Sequence, residues 1–208
     1  MILQLTNMTM TKDFSIKDEL TRKLFHLIFG VFFLYLSLKS KDSSIFFTIL
    51  FIFLISIELV IHKSLHFRKI FYQLFGKLLR NKEMKDNFSL KSFHYFVLAF
   101  ALSLIFFEKK IALIVLSIMV FSDISSAIIG KKFGSIKAVN NKSLQGSVAF
   151  FATSILVVYF CQTLFDHQIP FFKIILVSLV ATIAEILSGT IDDNLSVPLI
   201  TGLFVTMI

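Results

Sequence analysis

The 208-residue sequence has no tryptophan, one cysteine, two prolines and seven glycines. A lone cysteine excludes an internal disulfide, and Cys161 sits in an apolar run, where a thiol behaves as a small packing group. Without tryptophan the usual aromatic belt of a membrane protein is missing. Tyr35, Tyr72, Tyr95 and Tyr159 remain as aromatic anchors for an interface. Acidic residues are also scarce, 13 against 21 Lys and Arg, for a net charge of +8. Charged residues of both signs make up 16% of the chain, well under the roughly 25% of a soluble domain. Apolar residues fill the difference: 56% of the sequence, with 27 phenylalanines and a mean hydropathy of +0.85.

That apolar excess is gathered into long runs separated by short polar breaks, the pattern of membrane spans. No room remains for a large soluble domain, so residues 1–208 read as one integral membrane domain, an all-α polytopic transmembrane bundle. Seven spans are predicted, over 24–38, 44–61, 93–107, 111–130, 147–165, 171–190 and 195–208. The last is interrupted by Pro198 and Gly202 and reads as a partial span. Residues 1–21 lack the short apolar core and small-residue cleavage site of a signal peptide, so this leader is expected to be retained.

Alternating the loops with the N-terminus inside puts 16 of the 21 basic residues on the inner side and five on the outer. The asymmetry predicts a cytoplasmic N-terminus in a bacterial-type inner membrane. Because the basic residues flank spans, they suit anionic lipid or nucleotide and do not point to nucleic acid. The longest inner segment, 62–92, carries apolar residues at helical spacing from Leu65 to Leu79. It reads either as an amphipathic helix in the interface or as an ordinary connector.

Charge inside a span is costly and marks sites of chemistry. His26, Glu58, Asp123 and Glu185 are such residues. Glu19, Arg22, Lys23, His26 and Gly30 share one helical stripe, which suits either an anionic ligand or a snorkelling basic collar. Asp123 is followed on its own face by Ala127, Gly130 and Gly134. Those small residues admit a ligand or a neighbouring helix. The run Asn141-Lys142-Ser143-Leu144-Gln145-Gly146-Ser147 opens a span. Its free amides and Lys142 form a cradle for phosphate or a plain helix start, without the pattern of a Walker A loop. Glu185 precedes Asp192-Asp193-Asn194 by two turns. That trio is either an oxygen-rich site for a hard cation such as Mg²⁺ or an acidic turn capping the last helix. The alternating topology places all these segments on the cytoplasmic side.

Three motifs in order carry a resemblance. Glu19-x-x-Arg22-Lys23-x-x-His26-x-x-x-Gly30 resembles the N-terminal signature of the dolichol kinase, phytol kinase and CTP-dependent diacylglycerol kinase family. Asp123-x-x-x-Ala127-x-x-Gly130-x-x-x-Gly134 with Asn141-Lys142-Ser143-Leu144-x-Gly146-Ser147 is similar to its CTP-binding region. Ala184-Glu185-x-Leu187-Ser188 with Asp192-Asp193-Asn194-Leu195-x-Val197-Pro198-Leu199 resembles its C-terminal signature. The match runs over residues 19–200. It implies a kinase that moves phosphate from CTP, with a divalent cation, to the hydroxyl of a membrane lipid alcohol: polyprenol, phytol-like alcohol or diacylglycerol. On that resemblance Arg22, Lys23, His26, Gly130, Lys131, Gly134, Asn141, Lys142, Ser143 and Gly146 are expected at the nucleotide. Asp123, Asp192, Asp193 and Asn194 are expected at Mg²⁺, and Asp123, Glu185 and Lys142 at the chemistry, with Asp123 or Glu185 as base.

Phosphatidate cytidylyltransferase shares a related central core, but its C-terminal signature is absent here. A small transporter whose buried charges line a path is the alternative outside enzymes. One departure stands out. Where the family commonly has Leu-Glu-Gly, this chain has Leu144-Gln145-Gly146.

Overall fold

The apolar runs fold as helices because a segment in hydrocarbon must satisfy its backbone hydrogen bonds internally. The computed structural model describes residues 16–75, 91–165, 168–189 and 191–208. Side chains 16–19, 72, 75 and 141 lie outside that description. Eight α-helices are present among the described residues: α1 Ile16–Lys39, α2 Ser43–Lys63, α3 Leu65–Phe75, α4 Ser92–Phe106, α5 Lys109–Phe133, α6 Leu144–Leu164, α7 Phe171–Leu187 and α8 Asp193–Met207. The fold is all-α, as expected. Among the described residues, four helical segments are long and apolar enough to cross a membrane: Leu20–Lys39, Ser43–Lys63, Lys109–Phe133 and Leu144–Leu164. They identify the chain as an integral membrane protein. The helix predicted from Leu65 is present as α3, and its expected continuation to Leu79 falls outside the described residues. The leader before residue 16 and Thr190 at the end of the sixth run fall outside them too.

The interruption expected in the last run is absent, since α8 is continuous through Pro198, but at 15 residues the helix is still shorter than a full span. Proline removes one intrahelical hydrogen bond but need not end a helix whose neighbours hold it. Gly202 supplies close contact instead of a break, since a Cβ there would stand 2.2 Å from Phe107 Cε2.

Helix α5 runs through the centre, packed on α1, α4, α6 and α8, and is buried almost continuously from Ala112 to Val120. Around its first half, Phe33 of α1, Phe47 of α2 and Phe100 of α4 meet with ring centroids 5.0–5.4 Å apart. Such tilted and edge contacts add about 0.5–1.5 kcal/mol per pair beyond burial. A second apolar cluster joins Ile114 and Ile118 to Phe150, Ile174, Val177 and Ala181.

The helix directions give the bundle two distinct ends. At one, Lys109 Nζ donates to the carbonyls of Leu38 (3.1 Å) and Ser40 (2.9 Å). At the other, the start of α1, the ends of α5 and α7 and the starts of α4, α6 and α8 come together. That second end carries the charges.

Candidate functional site

The stripe on α1 faces α5. Gly30 packs on Val120, where an added Cβ would come within 2.6 Å of Val120 Cγ1. Two turns earlier, buried Lys23 forms an ion pair with buried Asp123. His26 Nε2 lies 3.8 Å from Asp123 Oδ2. The His26 ring also rests on Phe96 of α4, centroids 4.4 Å apart. Arg22 is half-buried beside them, near enough for its charge to act on Asp123. Glu19 lies on α1, with its side chain outside the description.

One turn past Asp123 on α5, Ser126 Oγ donates to Glu185 Oε1 at 3.4 Å. Ser147 of α6 donates to Glu185 Oε2, also at 3.4 Å. Lys142, just before α6, is the hub. Its ammonium donates to Glu185 Oε1 (2.7 Å), the Glu185 carbonyl (2.6 Å), Ser188 Oγ (3.2 Å) and Asp193 Oδ2 (3.2 Å). Burial disfavours the ammonium, but the Asp193 and Glu185 carboxylates outweigh it and hold the Lys142 pKa above the ordinary lysine value. The Asp123 carboxylate adds to that effect. Lys23, Asp123, Glu185, Lys142 and Asp193 therefore occupy one polar region, drawn from five separate stretches of sequence.

Asp192 and Asn194 take a different direction from Asp193. Asp192 caps α8, its Oδ1 accepting from Asn194 N (3.2 Å) and Asn194 Nδ2 (2.7 Å). Ser92, in the first turn of α4, donates to Asp192 Oδ1 at 3.4 Å and accepts from Asn194 Nδ2 at 2.9 Å. Asn194 Oδ1 is buried and accepts no hydrogen bond. Among the described residues no three His, Cys, Asp or Glu side chains form a ready-made cation cage.

The glycines have a packing role. A Cβ on Gly130 would stand 2.8 Å from Ser143 Oγ, and one on Gly146 would stand 3.0 Å from the Ser126 carbonyl. Gly134 is equally crowded, by the Gly130 carbonyl and by Ser143. The stripe thus lets the start of α6 press against the end of α5. Ser143 Oγ caps α6 by accepting from Gly146 N at 3.1 Å. Asn141 lies in a short 3₁₀ turn, Val139–Asn141, with its side chain outside the description. In that turn Asn140 takes a left-handed conformation, φ 58°, and donates to the Ile186 carbonyl at 3.2 Å. Asn is among the residues that tolerate this region. Lys131 is exposed at the end of α5 and is not among the described residues that meet at Lys142 or Asp123.

The sequence assigned no role to Ser92, Ser126, Ser147 or Ser188, although Ser147 and Ser188 stand within its motifs. Isolated serines in spans carry no signal of their own, because intrahelical carbonyls satisfy most of them. It also left Glu58 without a partner. Glu58 pairs with Lys91, buried at the start of α4. Lys91 N in turn donates to His94 Nδ1 at 3.3 Å.

The chain is 31% identical to an uncharacterized protein of Rickettsia prowazekii, over 91% of this chain and 93% of that one. It is 32% identical to phytol kinase 1, chloroplastic, of Arabidopsis thaliana, over 93% of this chain and 67% of the relative. It is 26% identical to CTP-dependent diacylglycerol kinase 1 of Saccharomyces cerevisiae, over 94% and 75%. No family model matches, and no solved structure matches significantly.

Proposed function

This chain belongs to the family of CTP-dependent lipid-alcohol kinases, which are phosphotransferases, and on that premise we propose that it phosphorylates a membrane lipid alcohol at the cytoplasmic face. The acceptor is a polyprenol, a phytol-like alcohol or diacylglycerol, and the donor is CTP. One observation carries the reading: Lys142 and Lys23, held by Glu185, Asp193 and Asp123, converge from distant segments on one end of the bundle. A seven-span topology, with α3 in the interface and the N-terminus inside, puts that end in the cytoplasm.

Phosphoryl transfer asks a protein mainly for positioning and charge neutralisation. Each lysine here neutralises a carboxylate, and each can exchange that partner for a triphosphate oxygen. Arg22, Lys23 and Lys142 then hold the triphosphate, with His26 beside them. The Ser143–Gly146 helix start adds free amides. Mg²⁺ is commonly bound by one or two carboxylates plus substrate phosphates. Asp193, beside Lys142, fits such a cation arriving with CTP, whereas Asn194 is turned toward Ser92 and Asp192. The cation would supply charge neutralisation between the phosphates. Asp123, one turn deeper than Ser126, meets the acceptor hydroxyl. The hydroxyl oxygen bonds to the γ-phosphorus as the bond to the bridging oxygen breaks. The electron pair leaves with CDP, and the proton passes to Asp123. Glu185, occupied by two serines and Lys142, anchors the lysine.

The test uses purified protein in nanodiscs with phytol, a polyprenol or diacylglycerol. CTP is labelled either in its γ-phosphate or in its base. The γ-label alone should enter lipid. Base label in lipid would mean cytidylyl transfer, and no label in any lipid would sink the kinase. Single cysteines at Ser40 and Ser135, in a Cys161→Ser background, should react from opposite sides of the membrane. Reaction from the same side would overturn the topology.

A further inference from the structure

Helices α2 and α3 enclose a groove that the nucleotide chemistry does not use. Its volume is about 500 Å³, and its walls are apolar: Phe53, Ile57 and Ile61 from α2, and Phe67, Ile70 and Leu74 from α3. That volume is within the range of a small-molecule site. The α3 residues are the apolar face of that helix, spaced by three and four, turned toward α2 rather than spread around the axis.

An apolar groove on a membrane protein could simply hold bilayer lipid. What distinguishes this one is its inner edge. Phe71, also in the lining, carries Lys91 Nζ over its ring at 5.1 Å. Lys91 is ion-paired with Glu58, the neighbour of the groove residue Ile57. The next residue, Ser92, is hydrogen-bonded to both Asp192 and Asn194. One turn further along α4, Phe96 supports His26 beside Asp123. The groove thus ends at a polar edge, and the first turn of α4 leads from that edge to both halves of the site. A hydrocarbon chain with a hydroxyl at one end has the matching polarity.

We propose that the α2–α3 groove binds the hydrocarbon chain of the lipid-alcohol acceptor, with its hydroxyl end passing the Lys91–Ser92 edge toward Asp123, beside Phe96 and His26. This rests on the kinase reading above. The Glu58–Lys91 pair has no net charge, so it fixes the edge of the groove against α4 without trapping an anion. Because the groove holds chain and not headgroup chemistry, it sets which chain lengths are accepted.

Substituting tryptophan at Ile57 or Leu74 fills the groove without touching the nucleotide residues. With long-chain diacylglycerol, each variant should raise the lipid KM about tenfold. The KM for CTP, and that for short-chain diacylglycerol, should move less than about twofold. An unchanged long-chain KM in an active variant overturns the groove and leaves the kinase standing. A second measurement is independent of turnover. Diacylglycerol bearing a diazirine at its chain end should label α2 and α3, and excess unmodified diacylglycerol should compete the label away, whereas excess phosphatidylcholine should not. Labelling that both lipids compete equally means bulk bilayer lipid only and overturns the proposal. If the unsubstituted protein transfers no phosphate from CTP to any acceptor, the kinase reading fails, while the competition result still decides the groove.

Discussion

Two lysines at the same end of this bundle, one half-buried and one buried, are built in opposite ways. Lys142 is 19% exposed at its side chain and shares its ammonium among Glu185, Ser188 and Asp193. Lys91 is 5% exposed, has one carboxylate partner, Glu58, among the described residues, and lies against the Phe71 ring. A lysine divided among several partners at an accessible edge can release some of them to a phosphate. The Lys91 pair cannot, because separating it strands Glu58 in a low-dielectric interior; Lys23 is as buried, but the Asp123 it would leave keeps His26 and Arg22 beside it. The comparison separates a cation kept for exchange from a cation kept for architecture, although the sequence presents both simply as a lysine near a membrane helix.

The sharpest way to break that comparison is to remove each cation in turn. Lys142→Ala should lower kcat/KM for CTP about a thousandfold, or ~4 kcal/mol of transition-state stabilisation, with helicity by circular dichroism unchanged. Loss of the fold, or full activity, would erase the distinction. Lys91→Met should act on stability, by about 3 kcal/mol, because it leaves Glu58 charged and unpaired. Thermal unfolding in detergent reads this directly. The double variant Lys91→Met with Glu58→Leu should recover most of the loss, since replacing a buried pair by apolar groups is often neutral. Failure to recover would show that the Lys91 contacts matter individually.

A smaller effect follows from the raised Lys142 pKa. A lysine whose folded pKa lies above its unfolded value contributes stability that is fully present below the unfolded pKa and is lost as pH rises through the folded one. The stability gap between the protein and Lys142→Met should therefore stay level through neutral and mildly alkaline pH. It should close only above the ordinary lysine value of 10.5. A gap that closes near neutrality would mean that Asp193 and Glu185 do not hold this ammonium.

Much of the site could be read from spacing, because helix periodicity fixes which residues share a face. Lys23, His26 and Gly30 do turn together toward α5. Spacing does not say which helices pair. Glu58 therefore had no visible partner, and the small-residue stripe of Gly130, Gly134 and Gly146 did not announce that it seats α6 on α5. Contiguity misled in another way. Asp192, Asp193 and Asn194 look like one oxygen cluster, but Asp192 is the extended N-cap of α8, its carboxylate folded back onto Asn194, while Asp193 begins the helix and leaves in another direction. Asp193 meets Lys142, whereas Asp192 and Asn194 meet Ser92. The long segment 62–92 showed its apolar face as a pattern, but whether that face meets lipid or another helix depends on the path of the chain.

The smallest expected effect concerns Gln145, which stands where the family commonly has a carboxylate. A neutral amide would be a serious loss if this side chain served the phosphates. Its position is different. Gln145 Nε2 donates to Ser135 Oγ at 2.6 Å, and its Oε1 accepts from Ile136 N at 3.4 Å. Both contacts clasp the connector between α5 and α6. That connector is also tied by hydrogen bonds from Ala138 N to the Lys142 carbonyl (2.7 Å) and from Leu144 N to the Ile136 carbonyl (2.9 Å). A carboxylate can make the same clasp, accepting from Ile136 N and from the Ser135 hydroxyl, which rotates to donate. Gln145→Glu should therefore change kcat/KM by less than about threefold, under 1 kcal/mol. Gln145→Ala, which opens the clasp, should cost about 1 kcal/mol of stability. If the glutamate variant instead gained activity a hundredfold, the carboxylate would belong to the chemistry, and this chain would be an enzyme weakened at that position. A result within threefold would place the residue with Lys91 on the architectural side, beside a lysine that belongs to the other.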